Sequence, residues 1–197
     1  SNSTWRYLND INQFSCDTCK WQTPTMAAST MIPPPSVRSN HVACTVGNRY
    51  VVLIGGSGKE RADQSTVRYG DLHILDTNPS SFGWMLCEVK STHGAGKALT
   101  PRTYHAGCSL PGGVVAVFGG FTGTVDVQDV VLISMNQVLR RFDHVDGVVM
   151  RPTVNVVCGT LSSVMAPRPP VRRFHTLESI EYGRAGVVFG GCAGKNY

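Results

Sequence analysis

Short apolar runs rich in Val, Ile, Leu and Phe recur along this chain, separated by clusters of Gly, Pro, Asn and Asp. Runs this short, bounded by turn residues and without a 3.6-residue period, predict β-strands rather than helices. Residues 42–46 and 50–54 flank the turn Gly47-Asn48-Arg49 and read as two strands. A polar loop over 57–68 leads to a third strand at 69–76. There Leu72, Ile74 and Asp76 share one side, and Asp71, His73 and Leu75 the other. Asn78-Pro79 then marks a turn before a fourth strand at 84–89.

The same order returns downstream. Residues 105–110, the turn Pro111-Gly112-Gly113, 114–118 and 128–133 predict three strands, and 137–142 is the expected fourth. Residues 175–180, a turn at Tyr182-Gly183 and 184–189 begin a third unit. Near the N-terminus, 7–11 and 19–21 match the third and fourth strands of a preceding one. Each full unit opens on Arg-x-x-His and closes its second strand on a Gly pair: Arg38, His41, Gly55 and Gly56; Arg102, His105, Gly119 and Gly120; Arg172, His175, Gly190 and Gly191. From His to the first Gly the spacing is 14, 14 and 15 residues. A supersecondary unit in three registered copies means an array whose neighbours bury one another's faces.

Composition narrows the class. The 197 residues are 42% hydrophobic and only 16% charged, which argues against disorder, coiled coil and long solvated helices. The 21 Gly and 11 Pro suit many tight turns. The net charge of +5 is spread out, densest at Arg168, Arg172 and Arg173, and no unbroken basic run supports nucleic-acid binding. Seven Cys is an odd number; Cys44 and Cys108 share one repeat position, where the third unit has Glu178. This predicts buried free thiols in a reducing, cytoplasmic setting. No apolar run reaches about 18 residues, so no membrane span is expected, and the N-terminus lacks a signal-peptide pattern. Asn2-Ser3-Thr4 fits a glycosylation acceptor only by chance.

The repeated Gly pairs, the Asp opening a third strand (Asp71, Asp129, Asp10) and the Trp on a fourth (Trp84, Trp21) resemble the kelch repeat of β-propellers. The resemblance implies an all-β fold with about three four-stranded blades' worth of a larger propeller. It places the end of one blade at 1–30, a blade at 38–90 and another at 102–143, then a long loop or insertion at 144–171 and the start of a further blade at 172–197. The units from Arg38 to Arg102 and from Arg102 to Arg172 are 64 and 70 residues long, longer than the family's usual unit of about 50, with the excess in loops. Propellers close with typically about 4–8 blades, so an array of three would leave edges open. Another chain, or a further segment, is then expected to complete it.

Several chemical readings are weaker than the architectural one. His41, His105 and His175 fall on different blades and cannot converge on one metal ion. Cys16-x-x-Cys19 has zinc or redox spacing but neither a second pair nor an adjacent helix. Lys59 and Lys97 follow glycines yet lack the Ser/Thr of a phosphate loop. No G-x-S-x-G is present. No catalytic residue, metal or cofactor is therefore expected.

The resemblance implies a non-catalytic protein-interaction scaffold or adaptor within a larger intracellular assembly, of which a cytoskeletal one is an option. The alternatives are a substrate-recruiting adaptor of a ubiquitin ligase or, last, an enzyme of the kelch copper-oxidase or sugar-isomerase kind. A protein partner is expected on the turns joining first to second and third to fourth strands, with Arg49, Tyr182 and Arg184 as anchors by residue type.

Overall fold

The structure, a computed structural model, describes residues 6–27, 32–59, 65–86, 88–91, 100–135, 153–157 and 168–194. Its strands in chain order are β1 (Gln13–Ser15), β2 (Lys20–Gln22), β3 (Val42–Val46), β4 (Tyr50–Ile54), β5 (Ser57–Lys59), β6 (Thr66–Arg68), β7 (Leu72–Asp76) and β8 (Gly83–Leu86). They continue with β9 (Glu88–Ser91), β10 (Ala106–Leu110), β11 (Val114–Phe118), β12 (Val130–Ser134), β13 (Thr153–Val157), β14 (Arg173–Ile180) and β15 (Ala185–Cys192). The chain is all-β, and among the described residues the one helical turn is 3-10, at Glu181–Gly183. No helix among the described residues is long and apolar enough to cross a membrane.

The first sheet runs β3-β4-β7-β8, antiparallel throughout. Period-two alternation in β4 turns Val52 and Ile54 to one face and Leu53 to the other, and both faces are covered. Val52, Ile54, Leu72 and Ile74 pack on Val115, Val117, Val131 and Ile133 of the second sheet. Leu53, Leu75, Phe82 and Trp84 form a separate cluster with Ile11 and Ile32 from the N-terminal segment. Full burial of such an aliphatic side chain is worth about 1.5–3 kcal/mol, so the two clusters hold the first sheet from both sides.

The second sheet runs β10-β11-β12-β13-β9, and here the strand assignments differ from the sequence reading. The fourth position, beside β12, belongs to β13, which lies inside the stretch read as a loop; residues 137–142 fall outside the described ones. Thr153-Val154-Asn155-Val156-Val157 is β-branched and alternating, a strand signal that a search for Trp passes over. The expected strand 84–89 divides, with β8 ending at Leu86 and β9 crossing to pair in parallel with β13. The third strand of the first sheet starts at Leu72 rather than residue 69, because the backbones of Tyr69 and Asp71 bond to Gly56, Arg102 and Gly55 instead. The segment read as a polar loop carries the hairpin β5-β6.

β14 and β15 form a hairpin on their own, with β14 against β10. The Gly190-Gly191 pair lies within β15 rather than after it. Phe189 is 78% exposed, whereas the equivalent Phe118 is 4% and Ile54 0% exposed. The N-terminal hairpin β1-β2 pairs Phe14 with Trp21. The expected third strand at 7–11 is reduced to one bridge, Leu8 to Arg38, with the pairing shifted on to β1. Trp84 is 6% exposed but Trp21 71%, so only one of the two fills an intersheet space.

Candidate functional site

The Arg-x-x-His segments form the junctions between sheets. Arg38 donates from Nη1 and Nη2 to the two carboxylate oxygens of Asp71 (2.7 and 2.8 Å), and from Nη1 to the Gly55 carbonyl (2.9 Å). Arg102 repeats this with Asp129 (2.7 and 2.8 Å) and Gly119 (3.2 Å). Arg172 reaches the Gly190 and Pro170 carbonyls. The planar fork of Arg matches a carboxylate bidentately, so the guanidiniums of Arg38 and Arg102 each fix the start of a third strand against the end of a second. Burial works to raise the Asp71 carboxyl, but the hydrogen bonds from Arg38 and His73 outweigh it and hold it below the usual carboxylate range.

The His of each junction reaches back to the preceding sheet. His105 donates Nε2–H to the Ile54 carbonyl and His175 to the Phe118 carbonyl, each at 3.1 Å. A carbonyl can only accept, so Nε2 carries the proton, and Nδ1, buried in both and without a hydrogen-bond partner among the described residues, is a bare lone pair. Burial, and then Arg102, push His105 down to about 4. These two imidazoles are hydrogen-bond pins in separate sheets. Among the described residues no group of three or more His, Cys, Asp or Glu side chains is placed to hold a metal.

The Gly pair makes room for these pins. A Cβ on Gly55 would stand 2.8 Å from the His105 ring, and one on Gly119 2.9 Å from that of His175. A Cβ on Gly56, Gly120 or Gly191 would meet the His of its own unit at 2.8–2.9 Å. All five have positive φ as well. In the residue before each His the backbone is also left-handed (Asn40, Tyr104, Phe174), and Phe174 N–H bonds to Tyr104 O as Tyr104 N–H does to Asn40 O.

The loop anchors inferred from residue type divide. The first-to-second-strand turns of the three units neighbour one another: Ser109 donates to the Thr45 carbonyl, and Gly183 lies against Pro111. Tyr182, 97% exposed with φ of 56°, and the exposed Arg184 therefore share a face with Arg49. Arg49, however, is held by Asp76 through two 2.8 Å bonds and tethers the turn at 77–82. Burial would raise the Asp76 carboxyl, but its bonds with Arg49, Asn78 and Ser81 lower it.

The opposite face carries a cleft that no local motif announced. A cavity of about 640 Å3 lies between the loop after Gly119-Gly120 and the chain entering β14. Phe121, Val125, Asp126 and Arg173 line it. The guanidiniums of Arg173 and Arg68 stand 4.6 and 5.1 Å from the centre of the Phe121 ring, within cation–π range. Asp126 pairs with Arg173 (3.3 Å) and accepts from Gly194 N–H (2.9 Å). Arg68 Nε is buried without a hydrogen-bond partner among the described residues. Gly123 permits this arrangement, since a Cβ there would stand 2.8 Å from Arg68 Nη1. The residues come from three distant stretches, and the nearest sequence signal was the basic cluster that includes Arg173.

Comparison with known proteins agrees with this architecture. The profile of the KLHDC2/KLHL20/DRC7 Kelch-repeats domain matches residues 1–147. Adagio-like protein 1 of Oryza sativa subsp. japonica is 31% identical over 156 residues, covering 79% of this chain and 20% of that protein. Acyl-CoA-binding domain-containing protein 5 of Arabidopsis thaliana is 32% identical over 57% of this chain and 15% of its own length. The dynein alpha chain of the flagellar outer arm of Chlamydomonas reinhardtii is 29% identical over 67% of this chain. The match covers 3% of that dynein chain, so this chain spans a minor part of the relatives it matches. With its repeated Gly pairs, Arg–Asp junctions and stacked antiparallel sheets, the chain belongs to the kelch-repeat family.

Proposed function

We propose that this chain is a non-catalytic protein-interaction scaffold that holds a carboxylate-bearing segment of a partner protein in the cleft beside Phe121. The observation that carries the reading is a cleft lined by Phe121 and Arg173, whose guanidinium stands 4.6 Å from the centre of that ring. A bound carboxylate would take a charge-assisted hydrogen bond from Arg173 while apolar atoms beside it pack on Phe121. A displayed library of random peptides selected against the chain should enrich acidic residues or free C-terminal carboxylates. Phe121→Ala or Arg173→Ala should each weaken the selected peptides about tenfold, or about 1.4 kcal/mol. Selection of basic or purely apolar peptides would overturn the reading.

The turn face is a second reading, favoured by Tyr182, which stands almost wholly in solvent on a left-handed backbone. Its signature would be peptides whose binding is lost with Tyr182→Ala and Arg184→Ala but kept with Arg173→Ala. Within the scaffold class we place the protein in a larger intracellular assembly, and its likeness to a dynein chain of the flagellar outer arm supports a cytoskeletal one. The ligase-adaptor role is the competing assignment. Co-purification with ubiquitin-ligase subunits rather than with axonemal or cytoskeletal proteins would favour it.

A further inference from the structure

We infer that Cys16 and Cys19 are a redox clamp: exchange with a small-molecule disulfide closes a disulfide across the turn of hairpin β1-β2 and fixes the aromatic pair beside it. The geometry for ring closure is already in place. β1 and β2 pair Gln13 with Gln22, Phe14 with Trp21 and Ser15 with Lys20, so the residues from Cys16 to Cys19 make up the whole turn. The first and fourth Cα atoms of a tight turn lie within about 7 Å, and a disulfide spans about 4.4–6.8 Å. Cys19 has a left-handed backbone (φ 52°), and its Sγ–H donates back to the Cys16 carbonyl at 3.6 Å. The Cys19 sulfur therefore stands against Cys16 before any oxidation. Both are exposed free thiols, open to a soluble oxidant, whereas Cys44 and Cys108 are buried.

Comparison with the first sheet shows what the clamp would fasten. Phe14–Trp21 takes the register of Leu75–Trp84, so Ser15 holds the place of Asp76. Asp76 fastens its turn by accepting from Asn78 N–H, the Ser81 hydroxyl and two nitrogens of Arg49. Ser15 accepts from Thr18 N–H at 3.3 Å. A Cys16–Cys19 bond supplies covalently what the carboxylate supplies in the first sheet. Directly behind the turn the rings of Phe14 and Trp21, both exposed, stand 5.2 Å apart, so fixing the turn fixes how this pair is displayed. Two thiols fall short of the four ligands of a structural zinc, and among the described residues no third metal-ligating group joins them. No helix is needed either, because the pair is the substrate of exchange rather than an enzyme's activated nucleophile.

The exchange balances as follows. The thiolate of one cysteine attacks a sulfur of a small disulfide such as oxidised glutathione, whose S–S bond breaks and releases one glutathione. The second cysteine attacks the protein-bound sulfur of the mixed disulfide and releases the other. The pair loses two electrons and two protons, and the small disulfide takes up both and becomes two thiols. An exposed disulfide is of the labile kind, so excess reduced glutathione reopens this one.

The test is to equilibrate the protein with oxidised glutathione and map thiols by alkylation and peptide mass spectrometry. The peptide holding both cysteines should lose the mass of two hydrogens, resist alkylation, and recover both thiols in reduced glutathione. Hydrogen exchange across residues 13–22 should slow about tenfold in the oxidised form and stay unchanged in β10 and β11. Cys16→Ser and Cys19→Ser, at exposed positions, should each stop at a single glutathione adduct and lose the slowing. Thiols that stay alkylatable in excess oxidised glutathione, stable adducts in place of the internal bond, or exchange across 13–22 that is equal in both states would each overturn the inference.

Discussion

At the scale of single residues, the junction works because each polar group meets a partner that suits its geometry. The guanidinium of Arg102 is almost wholly buried, and its Nη atoms meet both oxygens of Asp129 and the Gly119 carbonyl. Lys in its place would offer one point charge instead of a fork. The imidazole of His105 is the more sensitive part, because only its neutral form fits between Ile54 and Arg102. Its pKa is near 6.5 unfolded and about 4 folded, so between these values the unfolded chain binds the extra proton. The stabilisation is fully present above pH 6.5, falls as pH drops through that value and is gone below about 4, amounting to roughly 3 kcal/mol. His175 and His41, both lowered first by burial, act in the same direction. Urea unfolding should thus show a marked loss of stability from pH 7 to pH 4.5, and His105→Gln should flatten that slope while lowering stability at pH 7. An unchanged slope in the variant would remove His105 from the account.

At the scale of elements, the glycines separate backbone strain from crowding. Gly55, Gly119 and Gly190 hold the same repeat position with φ of 61°, 63° and 71°. Ala at Gly190 meets only the left-handed cost of about 1–2 kcal/mol. Ala at Gly119 must also displace the Arg172 carbonyl, 2.7 Å away, and the His175 ring, and should cost about 3 kcal/mol or more. Equal losses for Gly119→Ala and Gly190→Ala in thermal melts would refute the pin-and-socket description. This contrast also explains what was legible in the sequence. β3, β4 and β11 could be read residue for residue, since each is an apolar β-branched run stopped by turn glycines, and those signals are local. β13 could not, because its place beside β12 is a long-range pairing that no Trp or turn announces. The move of β9 to the second sheet is likewise decided by a distant partner strand. The cleft was illegible for the same reason: Arg68, Phe121 and Arg173 meet only after two sheets have stacked. Arg49 and Tyr182 looked alike by residue type, and only the position of Asp76 shows that one of them is already engaged.

At the scale of the whole molecule, burial is deepest between the first two sheets and fades toward both ends, and the cysteines sample that gradient. Cys16 and Cys19 sit exposed on the turn of the N-terminal hairpin, Cys44 and Cys108 are buried on adjacent strands of the two packed sheets, and Cys192 on the last hairpin is half-buried. Cys16, Cys19, Cys44 and Cys108 are free thiols. Burial, then Cys108 and Glu178, push the Cys44 thiol up to about 11, and burial raises that of Cys108 too. Against an ordinary value of 9.0, that leaves about a hundredfold less thiolate on Cys44 at a given pH, before any loss of access is counted. Alkylation at pH 8 followed by peptide mass spectrometry should accordingly modify Cys16 and Cys19 first. Cys44 and Cys108 should react only at the rate of global opening, because their strands lie in the shared core. Denaturant should bring those two up together, as one unit. Native labelling of Cys44 as fast as Cys16 would mean that the first and second sheets do not pack on one another. The Arg–Asp and His–carbonyl junctions would then be contacts without a core behind them.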